Sequence, residues 1–201
     1  LTTADVVVLP FGKRRLPRAL RDLATVTIDD VTDHRRVVVV GSDADLAAVL
    51  TRLLRADRLD IEVGHAPRWR KARRARQGDA RRVPLIRDET GQVIVGAAYW
   101  LGEGDLEKGA PPAKLHGEAV VDDQLLFDGD VTGVRIEPTP TMPGLRATVL
   151  SRHMRPGRWL TGRAVQLGTA GAFVVRDGVF APRPVRRSTF YRHTEGWLQV
   201  R

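Results

Sequence analysis

One glycine and two carboxylates, in the order Gly41-Ser42-Asp43-Ala44-Asp45, join two strongly patterned segments. Before them stand four consecutive valines, Val37 to Val40, the pattern of a strand buried on both faces. After them Leu46, Val49, Leu50, Leu53 and Leu54 recur at helical spacing and form one apolar stripe. A strand-to-helix turn of this kind is where α/β proteins bind phosphate, because the first N–H groups of the helix point outwards and its dipole favours an anion. The same residues also read as a helix cap. Ser42 is a natural N-cap, and Asp45 stands three residues later, where a capping box has its acidic side chain. Walker A and dinucleotide fingerprints need more glycines at fixed spacing, so neither is present.

The second concentration of chemistry is charge. The chain of 201 residues carries a formal net charge of +9. Arg68, Arg70, Lys71, Arg73, Arg74, Arg76, Arg81 and Arg82 fall within residues 68–82, with Asp79 alone opposing them, so most of the excess sits in one stretch. Such a stretch attracts phosphate on a nucleotide, an anionic lipid surface or a nucleic acid. Arg68, Arg70, Lys71, Arg73, Arg74 and Arg76 are the candidate anion ligands. Trp69 among them suits stacking on a base or anchoring at a lipid headgroup. A solvated basic helix or loop is the alternative reading. No zinc-finger or RNP signature accompanies the charge.

The remaining chemistry is sparse. There is no cysteine, which excludes disulfides, thiolate-bound zinc, iron–sulfur clusters and a cysteine nucleophile. His34, His65, His116, His153 and His193 are scattered, with no His-Glu-x-x-His, and no Gly-x-Ser-x-Gly elbow occurs. Asp122, Asp123, Asp128 and Asp130 form an acidic group that suits Mg²⁺ or, more simply, turns. Arg186-Arg187-Ser188-Thr189 resembles a modification site for a kinase favouring upstream arginine. No metal ligand set is predicted. No apolar run approaches the roughly 18–20 residues needed to span a bilayer, and the first residues do not pattern as a signal peptide. The expectation is a cytoplasmic protein, peripheral at the membrane where the basic stretch engages lipid.

These groups need elements to hold them. Strand patterns fall at residues 5–9, 37–40, 59–63, 83–86 and 92–99, and helical ones at 17–23 and 46–54. After about residue 100 a Gly-, Pro- and charge-rich stretch, 102–112, reads as a linker. Beyond it the helical period fades, and short strands are predicted at 118–121, 124–127, 131–136, 146–150, 163–167, 172–176 and 185–191. Asp122-Asp123, Asp128-Gly129 and Asp177-Gly178 read as turns between them. Trp159, Phe173, Phe180, Phe190 and Trp197 are predicted to pack the β core. The fold class that follows is an N-terminal α/β domain with a mostly parallel sheet, residues 1–101, and a C-terminal antiparallel β-sandwich-like domain, residues 102–201.

The stretch VVVVGSDADLAAVLTRLL resembles the strand–turn–helix of the diacylglycerol kinase and NAD kinase superfamily, whose turn reads Gly-Gly-Asp-Gly-Thr before Leu. Gly41, Asp43 and Leu46 match that pattern, while Ser42, Ala44 and Asp45 depart from it. The domain order resembles that of the bacterial lipid kinases, and the turns near Asp128-Gly129 and Asp177-Gly178 look like those of their second domain. A second family motif, Gly-Thr-Gly-Asn-Asp, is replaced by His65-Ala66-Pro67-Arg68-Trp69, and Val179 stands where an acidic residue follows the last Asp-Gly. The resemblance implies ATP and Mg²⁺ as cofactors, a ligand cleft between the halves, and phosphoryl transfer to a hydroxyl by positioning and metal charge. It implies Asp43 as the catalytic or Mg²⁺-linked residue and Gly41, Ser42 and Asp45 as cofactor contacts. The departures point to a relative with reduced or lost catalysis. The alternative is a non-enzymatic module that uses residues 68–82 on nucleic acid or an anionic membrane.

Overall fold

The computed structural model describes residues 5–12, 15–104 and 113–201. The chain forms two compact units, one made of residues up to Val83 together with Thr194–Arg201, the other of Pro84–His193. Most of the predicted linker, residues 105–112, lies outside the described residues.

The first unit is built on strands β1 (Val6–Pro10), β2 (Arg36–Val40), β3 (Glu62–His65) and β4 (Ala80–Val83), with helices α1 (Asp43–Arg55) and α2 (Ala72–Gln77). β1, β2 and β3 pair in parallel, with Val7 beside Val37 and Val37 beside Val63. All five residues of β2 are buried, as expected of a strand covered on both faces. Val6, Val8, Val38 and Val40 share one core with Leu20, Leu23, Ala72 and Ala75. On α1 the apolar stripe buries Leu46, Val49, Leu50 and Leu53, while Leu54 lies at its margin. Full burial stabilises each such side chain by about 1.5–3 kcal/mol. α2 is only six residues long and comes close to β3 at Gly64, where a Cβ would stand 2.2 Å from the Ala75 carbonyl oxygen. Arg36, almost fully buried, bonds Glu62 through Nε at 2.6 Å and donates Nη1–H to the Arg76 carbonyl at 2.7 Å, tying β2 to the end of α2.

The helix predicted at 17–23 shrinks to one 3₁₀ turn, Arg18–Leu20. The chain beyond it is drawn out along β1 instead, with the Val8 amide donating to Ala24 and the Val26 amide donating to Val8. Backbone pairing to a strand edge outweighed a short helical pattern there.

The second unit contains β5 (Ile86–Asp88), β6 (Val93–Ile94), β7 (Ala98–Gly102), β8 (Leu115–Val121), β9 (Gln124–Val131), β10 (Gly133–Pro138), β11 (Leu145–Leu150), β12 (Pro156–Gly162), β13 (Ala164–Arg176), β14 (Val179–Phe180) and β15 (Val185–Arg192). They form one large antiparallel sheet running β12-β11-β10-β7-β13-β15-β5-β6, with β14, β8 and β9 attached through β13 and β8. It folds over a core containing Trp100, Leu115, Phe127, Ile136, Leu145, Val174 and Phe190. The last strand, β16 (Trp197–Val200), returns to the first unit and lies parallel to β3 and antiparallel to β4.

A predominantly parallel α/β sheet followed by an antiparallel β unit is the expected class. Strand membership differs from the sequence division at residue 101. β5, β6 and β7 pair within the second sheet, and β16 closes the first. Alternating apolar residues mark a strand but not its partner, so pattern alone could not assign these segments. Asp128-Gly129 is not a hairpin turn. It lies inside β9, opposite Glu118 and Gly117 of β8, and Gly129 absorbs an irregular backbone at φ +102°. Among the predicted core aromatics Phe190 and Trp197 are buried, whereas Phe180 is exposed and Trp159 is half-covered by the Arg146 guanidinium 4.3 Å above its ring. Ser188 is buried and accepts a 3.0 Å bond from the Trp100 indole, which removes it as an accessible modification site.

Candidate functional site

Ligands of open parallel sheets sit beyond the carboxyl ends of the strands, where helices begin. In the first unit that edge holds the end of β1, the Gly41 turn after β2 and His65 at the end of β3. The Phe11 amide donates to Val40 and the Ala66 amide donates to Val39, both at 2.9 Å, so the three strand ends are stitched side by side.

At the turn, Ser42 is the N-cap of α1 and forms a complete capping box with Asp45. The Asp45 amide donates to Ser42 Oγ at 3.3 Å. Asp45 Oδ2 in turn accepts from the Ser42 amide at 2.7 Å and from its hydroxyl at 2.8 Å. The carboxylate of Asp45 therefore occupies the electropositive helix start, where a bound anion would otherwise be stabilised. Gly41 fits the same arrangement. A Cβ there would stand 2.5 Å from Asp45 Oδ2, so the glycine makes room for the cap.

Asp43 points away from this box. Its side chain is 57% exposed, and its nearest charged neighbour is His65, with Nδ1 3.9 Å from Oδ1. His65 Nε2 lies 3.2 Å from the Gly41 carbonyl oxygen, which can only accept, so Nε2 carries the proton and Nδ1 faces Asp43. Burial pushes the His65 pKa below its ordinary value, and the charge of Lys71 adds to this. The bonded Gly41 carbonyl and the Asp43 carboxylate act in the opposite sense. At neutral pH the ring is uncharged, and the local field combines two carboxylates with one ammonium.

The structure thus brings together Gly41, Ser42, Asp43, Asp45 and, electrostatically through His65, Lys71. His65 is the residue that sequence reasoning passed over as one of five scattered histidines. Its position at the end of a parallel strand was the available signal. Arg68, Arg70, Lys71, Arg73 and Arg74 are exposed on the 3₁₀ turn Trp69–Lys71 and the start of α2. Arg76 is different. Its guanidinium clamps both oxygens of Asp22 at 2.6 and 2.7 Å and also donates to the Ala19 carbonyl at 2.7 Å. That arginine is committed to holding the 3₁₀ turn of residues 18–20 against α2.

Three acidic residues of the second unit, Asp122, Asp130 and Asp177, have structural partners. Asp122 accepts from the amides of Arg163 and Ala164, Asp130 lies 2.9 Å from His116 Nδ1, and Asp177 accepts from the amides of Val95, Gly96 and Ala97. Among the described residues no three acidic or histidine side chains converge to form a metal cage. Asp43 offers a carboxylate at the turn that is 57% exposed. This suits Mg²⁺, which is commonly held by one or two carboxylates with waters and ligand phosphates completing its shell.

No family model and no curated protein matches the sequence. Solved structures do match in three dimensions. A diacylglycerol kinase from Bacillus anthracis str. Sterne aligns with a TM-score of 0.71 at 9% identity, covering 98% of this chain and 96% of that one. An NAD kinase from Archaeoglobus fulgidus, in complex with ATP, aligns with a TM-score of 0.65 at 11% identity, covering 98% and 93%. This chain has the diacylglycerol kinase and NAD kinase-like fold. At these identities the likeness is one of architecture, and chemistry has to be argued from the residues at the edge. At that edge Asp43 presents an exposed carboxylate, while Asp45 directs its own into the helix start. Among the described residues no helix is long and apolar enough to cross a membrane.

Proposed function

We propose that this chain is a diverged lipid- or nucleotide-kinase-like protein that binds a phosphorylated ligand at the Gly41 turn and has reduced or lost phosphoryl transfer. The observation that carries this reading is the Asp45 carboxylate bonded to both the amide and the hydroxyl of Ser42. An internal anion there competes with a ligand phosphate for the same electropositive helix start. Asp43 remains exposed beside the turn and would hold Mg²⁺ through one oxygen, the metal supplying the positive charge that a phosphate needs between two carboxylates. The protein's own contribution is then to bind and orient. The Gly41 carbonyl is fixed by His65, and Lys71 adds a cation on the same edge. ATP with Mg²⁺ is the cofactor this arrangement suits, and a lipid or dinucleotide hydroxyl is the acceptor class that the fold suggests.

The test is calorimetric titration with ATP in the presence and absence of Mg²⁺, beside a phosphoryl-transfer assay on diacylglycerol and on NAD. Binding that needs Mg²⁺, weakens at least about tenfold in Asp43→Ala, and is accompanied by turnover far below the roughly 1–100 s⁻¹ of working kinases supports the reading. Binding unchanged in Asp43→Ala removes the site. Turnover within the usual range removes the claim of reduced catalysis.

A further inference from the structure

Trp69 is the most exposed of the large apolar side chains among the described residues, at 75%. An indole left in water costs free energy unless something covers it, and its surroundings indicate what. The segment carrying it is fixed to the first unit. Ala66 on one side and Ala72 and Ala75 on the other are all buried, and α2 meets β3 backbone to backbone at Gly64. Trp69 is therefore held outward by a rigid base, at the N-terminal end of a 3₁₀ turn. Around it stand Arg68, Arg70, Lys71, Arg73 and Arg74, all exposed. None of these five has an ion-pair partner among the described residues, whereas Arg76 on the same helix is clamped to Asp22. The Arg70 guanidinium lies 5.7 Å from the indole centroid, so cation and ring present one continuous amphipathic surface.

We propose that this surface docks on an anionic phospholipid bilayer, with Trp69 at headgroup depth and the five cations on the lipid phosphates. Tryptophan settles at the membrane–water interface, and clustered Lys and Arg are attracted to the negative leaflet. Long basic side chains also keep their charges at the phosphates while their stems lie on apolar surface. The geometry favours a bilayer over a nucleic acid. Single-strand binders use several aromatics spaced along a basic groove, and here a single indole stands exposed on a 3₁₀ turn. Of the five cations only Lys71 also acts on the Gly41 edge, through His65, so Trp69 and the four arginines make a surface that does not depend on whether that turn holds a nucleotide.

The experiment is co-sedimentation of the full chain with vesicles of pure phosphatidylcholine and with vesicles containing about 30% phosphatidylglycerol, at low and high salt. Duplex and single-stranded DNA serve as competitors. Three proteins are compared: the native chain, Trp69→Ala, and the fourfold change Arg68→Gln, Arg70→Gln, Arg73→Gln, Arg74→Gln. All these side chains are exposed, so both variants should unfold at close to the native temperature, which a thermal scan checks. The native chain should bind the anionic vesicles and lose that binding in high salt. The fourfold variant should bind at least about tenfold more weakly, because each cation near the leaflet contributes separately. Trp69→Ala should weaken binding and abolish quenching by bromine-labelled lipid. Equal binding to both vesicle types, or anionic binding unchanged in the fourfold variant, overturns the proposal. So does DNA binding in the absence of vesicle binding.

Discussion

Asp45 and Ser42 close on each other at the start of α1, the Asp45 carboxylate taking the Ser42 amide at 2.7 Å and its hydroxyl at 2.8 Å. One side chain thereby stabilises the helix and fills the place of an anion. Asp45→Thr should separate the two roles. It loses the reciprocal half of the capping box and should cost about 0.5–2 kcal/mol of stability. Removing the negative charge should at the same time strengthen Mg²⁺-dependent ATP binding several-fold. Chemical denaturation and calorimetric titration on the same variant measure both effects. Weaker ATP binding in this variant would show that Asp45 helps a ligand instead of competing with it.

Gly41 and Asp45 should be energetically coupled. The three atoms nearest the Cβ of Gly41→Ala would be Oδ2, Cβ and Cγ of Asp45, at 2.5 to 3.0 Å. In the native background this forces the carboxylate out of the box. In an Asp45→Gly background all three of those atoms, the Cβ included, are absent, so Gly41→Ala should cost less by about 0.5–3 kcal/mol, the usual range for side chains in direct contact. A double-mutant cycle measures the difference. Additive costs would mean that Gly41 is required by the backbone and not by the cap.

The turn, the buried valine strand and the α1 stripe were legible in the sequence because each depends on residues close in the chain. Ser42, Asp45 and Leu46 to Leu53 carry their own spacing. What was not legible depends on partners far along the chain. Nothing local in Ile86 or Trp100 indicates that they belong to the second sheet, nor in Trp197 that it belongs to the first. Arg76 has the same composition signal as Arg74. Only the approach of Asp22, fifty-four residues earlier, makes it structural. His65 likewise gains its meaning from the Gly41 carbonyl, which a parallel pairing brings beside it.

The difference between Arg76 and its neighbours can be measured. Arg76→Gln loses the paired bonds to Asp22, whose carboxyl the guanidinium holds below the usual carboxylate range, and loses the bond to Ala19. Its unfolding temperature should fall, while its affinity for anionic vesicles or polyphosphate should stay within about twofold of native, since this cation is already neutralised. Arg74→Gln should do the reverse. If both variants lose anion affinity equally, the pairing with Asp22 does not withdraw Arg76 from ligands.

His65 should make stability depend on pH. In the unfolded chain the imidazole takes up its proton near pH 6.5, and in the folded chain only at lower pH, chiefly because it is buried. Between those values the unfolded state holds more protons, so stability rises with pH. The contribution is complete above about pH 6.5 and is lost as pH falls towards the folded value. His65→Gln can still donate to the Gly41 carbonyl but does not titrate. Between about pH 7.5 and 5.5 the native chain should therefore lose more of its unfolding temperature than His65→Gln. Parallel curves for the two proteins would show that the ring is not held neutral by the fold.

In the second unit the decisive buried charge is Asp88, which has no exposed surface. One oxygen accepts from the amides of Thr90 and Gln92 at 2.9 Å and from the Thr90 hydroxyl at 2.7 Å, and the other takes Arg176 Nε at 2.5 Å. Asp88 is thus the pin between the β5–β6 turn and the end of β13. Asp88→Ala leaves a guanidinium that is largely buried and several donors without their acceptor, and should cost about 3–5 kcal/mol. Replacing Arg176 as well, in Asp88→Ala/Arg176→Met, removes the stranded charge and should recover part of that loss, because an uncompensated buried ion costs more than an apolar substitute. The amides of Thr90 and Gln92 remain unsatisfied in both variants, so recovery should be incomplete. Denaturant titration of the three proteins checks the order native, double variant, single variant. A double variant less stable than Asp88→Ala alone would mean that Arg176 contributes through its packing more than through its charge.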